Sequence, residues 1–151
     1  MYEEDEHIES AEEELKRADH LVFVSLKYTR TVDVMKNAIK RMINAFELAF
    51  DDYLETVKKK KQVGEIPLTG KEKAIAVKEL LGNPVKKYLI LYNLLKKIDK
   101  AEYSALEEFR KNVTLRIQNG KEEMNVKMDD LYRFLVGTKE FVSFIKQEQK
   151  K

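Results

Sequence analysis

The residues whose type and spacing offer the most chemistry in this sequence are cations. Lys58, Lys59, Lys60 and Lys61 are consecutive, and Arg110, Lys111 and Arg116 form a looser group further along. Four adjacent lysines supply a salt-sensitive, sequence-blind contact to phosphates, because each neutralised phosphate releases counterions. The competing reading of the lysine run is structural: it closes a helix, where cations meet the negative end of the helix dipole. Arg30 would join the second group if the turn between the first two helices comes close to it. Tyr88, Tyr92, Tyr103 and Tyr132 lie on or beside apolar stripes and are read as core, which leaves the basic groups without obvious stacking partners.

Most other chemistries lack the residues they need. His7 and His20 are 13 residues apart, so neither a His-x3-His nor a His-Glu-x-x-His zinc site can be built. His20 is read as a surface or boundary histidine on the first helix, and His7 as a solvated one. The absence of Cys removes disulfides, thiolate metal sites and Cys nucleophiles. Five dispersed glycines form no phosphate cradle and no nucleophile elbow. The adjacent acids Asp51-Asp52, Glu107-Glu108 and Asp129-Asp130 point about 100° apart on a helix, which suits solvation or capping better than paired acid–base work. No catalytic set, no metal site and no cofactor are expected.

The composition agrees with a single cytoplasmic domain. At 151 residues, a domain removes roughly 68–70% of its unfolded surface from water, enough for a packed core without staples. The charged fraction is 37%, rich in Lys and Glu as in hyperthermophile proteins. No uncharged run approaches the ~18 residues of a membrane span, and the acidic start MYEEDEHIE is not the basic region of a signal peptide. Net charge is +2, but residues 1–14 carry eight acids and no Lys or Arg, leaving +10 on residues 15–151. Those acids either complement the positive end of a helix dipole or form an arm over a basic surface.

Helical periodicity then organises the chain into a mainly α bundle. Ile8, Ala11, Leu15, Ala18, Val22 and Ser25 recur at steps of three and four and predict a helix over about 8–28. After Thr29-Arg30-Thr31, where a Thr can cap, a second helix runs to about Lys61 and forms a long antiparallel pair with the first. Thr69-Gly70-Lys71-Glu72 reads as a capping box for a short helix over 70–81, ended by Gly82. Asn83-Pro84 opens KKYLILYNLLKKI, apolar around much of its girth, so either central or kept for a second subunit. Asp99-Lys100-Ala101-Glu102 reads as a cap for a fifth helix to about Lys111, with Tyr103, Leu106 and Phe109 or Arg110 inward. Asn119-Gly120 between two alternating runs predicts a β-hairpin over about 113–128, with Leu115 opposite Met124, Val113 opposite Val126 and Arg116 opposite Glu123. Asp129 or Asp130 would cap the last helix, to about Glu148. Within it Gly137 marks a close helix crossing or a kink.

A long helix pair followed by shorter helices, over roughly residues 8–112, resembles the HEPN class of small bundles. Members serve as ribonucleases or as partners of nucleotidyltransferases, and their catalytic signature is an Arg followed four to six residues later by a His. Arg110 in FRKNVTLR stands where such a segment would fall, but no His follows it. The resemblance therefore implies a catalytically dead relative with an added β-hairpin. The expectation drawn from all of this is a non-enzymatic helical interaction module. It would form a homodimer through the fourth helix or the hairpin edge, or bind another protein. The alternative is RNA binding by Lys58 to Lys61 with Arg110, Lys111 and Arg116.

Overall fold

The computed structural model describes residues 10–60 and 64–151. Ser10 opens the first helix through a reciprocal capping box: its hydroxyl accepts from the Glu13 N–H at 3.1 Å, and the Glu13 carboxylate accepts from the Ser10 N–H at 3.0 Å. Helix α1 (Ala11–His20) continues without a break through a π-helical turn, Leu21–Ser25, and a final turn, Leu26–Tyr28. In that turn the Leu26 N–H reaches the Leu21 carbonyl, five residues back. The buried stripe becomes Ala18, Val22 and Leu26, so Leu26 takes the inward place expected of Ser25. A stripe with a period of four drifts around a helix of 3.6 residues per turn; one widened turn brings it back into line.

Thr31 caps α2 (Val32–Lys59), its hydroxyl accepting from the Val34 N–H at 3.3 Å. Helix α2, roughly 42 Å long, contacts α1, α3 (Gly70–Leu81), α4 (Lys86–Lys100), α5 (Met128–Gln149) and the sheet. Thr69 caps α3 as expected, accepting from the Glu72 N–H at 3.1 Å. A 3-10 turn, Asn83–Val85, leads into α4. Phe46 and Phe50 of α2, Tyr92 of α4 and Phe141 of α5 meet at ring-centroid distances of 4.7 to 6.2 Å, so the three helices share one aromatic centre. The apolar girth of α4 is largely used inside the chain. Leu89, Tyr92, Leu95 and Ile98 are buried, Leu91 and Leu94 pack against the core, and Ile90 remains exposed.

Three expectations are corrected here. Residues expected to form a fifth helix are strand β1 (Glu102–Leu106), which pairs antiparallel with β2 (Thr114–Asn119), in turn paired with β3 (Glu122–Val126). Local helix propensity in this Ala/Glu/Leu segment yields to the ladder bonds that β2 needs on its second side. Tyr103, Leu106 and Phe109 are consequently exposed, not inward. The hairpin exists, but its connection is Gly120-Lys121, with Leu115 opposite Val126, Ile117 opposite Met124 and Arg116 opposite Asn125. Gly120, at φ 67°, is the sole residue of that connection with positive φ, the pattern of a II′ turn, which needs one such residue where I′ needs two. The slip is two residues, so every side chain keeps its expected face. Finally, α5 starts at Met128: Asp130 does not precede the helix but accepts the Lys127 N–H from its third position, at 2.8 Å.

Candidate functional site

The two expected basic groups do not come together. Lys58 and Lys59 close α2, with Lys60 just beyond, while Arg30 precedes its other end, roughly 40 Å away by helix rise. Lys58 to Lys60 are exposed, and the Lys60 ammonium donates to the Lys151 carbonyl at 2.9 Å. Lys61 lies outside the described residues, as do His7 and the acidic residues before Ser10. Arg116 is taken up by an ion pair with Glu123 across the hairpin, a diagonal contact and not the facing pair expected. That hydrogen bond and charge raise the Arg116 pKa still further. Arg110 is exposed, 3.9 Å from Glu107.

Lys111 is different. It lies on a cleft of about 500 Å³ between the C-terminal end of the first helix, the loop before β2 and the start of α5. Three segments, distant in sequence, supply its walls. Phe23 and Lys27 come from the first helix, four residues apart and above the buried Val22 and Leu26, and Arg30 comes from the turn that follows its last residue, Tyr28. From the loop come Lys111, Asn112 and Val113; from the last segment, Lys127, Met128, Asp129 and Tyr132. Four cations thus stand around one opening with a single acid, Asp129. None of Lys27, Arg30, Lys111 and Lys127 forms an ion pair among the described residues. Arg30, in the turn just past the first helix, is tied back to that helix, its Nε donating to the Leu26 carbonyl at 3.3 Å.

The loop is anchored, which fixes Lys111. The Phe109 N–H donates to the Arg30 carbonyl at 2.7 Å, and the Glu108 carboxylate accepts the Val32 N–H, an otherwise orphaned donor at the start of α2, at 2.8 Å. Glu107 and Phe109 adopt positive φ, 56° and 66°, a strain of roughly 1–2 kcal/mol each that these two anchors hold. Arg30 therefore does approach the Arg110–Lys111 segment.

The wall of the cleft carries an exposed aromatic surface, the stacking partner that the basic groups lack in the sequence reading. Phe23 and Tyr132 stack with centroids 5.4 Å apart and planes inclined by 10°, yet are 51% and 37% exposed. Reading Tyr132 and Tyr103 as core is corrected: both are exposed, whereas Tyr92 is buried and Tyr88 partly so. Phe23 was missed because it sits in a β-branched, aromatic stretch where periodicity alone does not separate inward from outward positions. The signal available was its four-residue spacing to Lys27. Among the described residues, no group of three or more His, Asp or Glu is placed to hold a metal ion, and no helix is long and apolar enough to cross a membrane. The cations and ring faces of this cleft can hold an anion that also has an apolar or aromatic part.

Comparison of the chain with protein-family models, with curated proteins and with solved structures finds no match.

Proposed function

We propose that this is a cytoplasmic nucleic-acid-binding protein without a catalytic step of its own, and that it holds phosphates at the cleft between the first helix and α5. The carrying observation is the convergence of Lys27, Arg30, Lys111 and Lys127, none ion-paired among the described residues, on one opening with a single acid. Desolvated or partnered cations would be structural; these four point charges are left available, and a polyanion satisfies all of them together. The reading moves the nucleic-acid site away from the lysine run, whose place at the end of α2 suits the helix dipole. A catalytically dead HEPN-like bundle would be compatible with it.

The test is binding of a labelled RNA hexamer, followed by fluorescence anisotropy at 50 and 200 mM salt. If four phosphates are engaged, affinity falls roughly 50-fold between the two conditions, from a slope of about 0.7 per phosphate on a single strand. Changing Lys27, Arg30, Lys111 and Lys127 to Gln abolishes most of that salt dependence and leaves the RNA intact after incubation, as the unmodified protein does. Changing Lys58 to Lys61 to Gln leaves hexamer affinity within about twofold; the reverse pattern would return the site to the lysine run.

A second reading has its own observation. Among the described residues strand β1 pairs on one side only; all five of its residues are exposed, and it contains no Pro. An open edge of this kind is a template for another strand, here β1 of a second copy. Light scattering across micromolar concentrations would then show a dimer that Ser104→Pro dissociates. A monomer throughout would exclude it.

A further inference from the structure

Phosphate attraction explains the cations of the cleft but not its aromatic wall. Phe23 leaves half of its surface in water, an unfavourable place for a ring that could have been buried, and it lies in the one π-helical turn of the first helix. Such turns occur frequently at functional sites. Here the turn keeps Val22 and Leu26 inward as the cleft floor while Phe23, Lys27 and Arg30 face the opening. Tyr132, from the far end of the chain, completes a nearly parallel ring pair beside them.

Along a duplex that wall finds no partner, since the base faces are already stacked on one another and only base edges, sugars and phosphates are exposed. An unpaired base can lie against a ring face, and every base has such a face, so the contact is independent of sequence. The cleft volume, about 500 Å³, is within the range of cavities that seat a small aromatic ligand, roughly 300–1,000 Å³. We infer that the cleft is a single-strand site: one unpaired base of a nucleic-acid strand lies against the Phe23–Tyr132 pair while Lys27, Arg30, Lys111 and Lys127 hold the flanking phosphates. This rests on the nucleic-acid reading above and adds to it a discrimination between single and double strands.

The experiment uses the full chain and three probes: a labelled RNA strand, the blunt duplex of the same length, and inorganic polyphosphate as a polyanion without bases. The strand binds at least tenfold more tightly than the duplex. Phe23→Leu and Tyr132→Leu each weaken strand binding by roughly tenfold or more, the loss expected on removing one stacked ring, and leave polyphosphate binding within twofold. Tyr132→Phe, which retains the ring, binds the strand like the unmodified protein. Equal affinity for strand and duplex, with both Leu variants binding as before, overturns the single-strand site and leaves the electrostatic reading standing. Absence of binding to any of the three polyanions at 50 mM salt overturns both.

Discussion

At the scale of single residues, the most consequential side chain outside the cleft is Glu14. It is 2% exposed, and its carboxylate accepts from Arg17 at 2.7 Å, Asn44 at 2.8 Å and Arg41 at 3.3 Å, which fastens α1 to α2. Burial pushes its pKa up, but the Asn44 and Arg17 hydrogen bonds and the Arg41 charge outweigh that and hold it below the ordinary value of 4.5. A carboxyl with a depressed folded pKa contributes fully above its unfolded pKa and loses that contribution as pH falls through the folded one. Thermal unfolding followed downward from about pH 5 should therefore show falling stability. Glu14→Gln flattens that part of the decline and, at pH 7, lowers stability by about 1.5–3 kcal/mol, the range for hydrogen bonds to charged groups. Two glycines make a second contrast. A Cβ on Gly70 would stand 2.3 Å from the Tyr92 hydroxyl and 2.4 Å from the Glu47 carboxylate, where Tyr92 donates to Glu47 at 2.7 Å. Gly70→Ala should lower stability by about 1–3 kcal/mol in chemical denaturation. At Gly137 the obstacle is the flexible tip of Leu91, 2.6 Å away, which identifies that glycine as marking the α4–α5 crossing. Gly137→Ala should stay within about 1 kcal/mol of the unmodified protein, because the gain in helix propensity offsets the displaced Leu91.

At the scale of elements, the loop between β1 and β2 connects the bundle to the cleft. Glu108 satisfies the Val32 N–H, and Phe109 ties the same loop to Arg30, so the start of α2 and the position of Lys111 depend on one anchor. Glu108→Ala should cost about 1 kcal/mol, as loss of a helix-capping side chain does, and should also weaken RNA binding severalfold, although Glu108 is itself an acid. A simple electrostatic role would predict the opposite sign, tighter binding on loss of a negative charge. Measuring both quantities on one variant separates the two. The first helix shows how an element can adjust without breaking: its π-helical turn realigns a buried stripe that repeats every four residues and in doing so leaves Phe23 outside.

At the scale of the molecule, α2 is the member that every layer uses. It contacts α1, α3, α4, α5 and β2, and the buried residues of all these elements form one cluster. Unfolding should therefore be a single transition, with far-UV circular dichroism and tyrosine fluorescence giving coincident midpoints; separate midpoints would show that the sheet or α3 detaches first. What the amino-acid sequence determined by itself was whatever local chemistry specifies. A Thr cap within Thr29-Arg30-Thr31, the Thr69 cap, the α3 span of 70–81 and the face each hairpin residue occupies follow from capping groups and periodicity read over a few turns. Tertiary structure decided what depends on partners distant in the chain. Residues 102–106 became a strand because β2 offered an open ladder, overriding their own helix preference. The hairpin register followed turn geometry, since alternation specifies pairing only modulo two residues. The cleft could not be read from any one stretch: Phe23 and Tyr132 are more than a hundred residues apart, and Lys27, Arg30, Lys111 and Lys127 share an opening only after α1, α5 and the loop before β2 pack against one another.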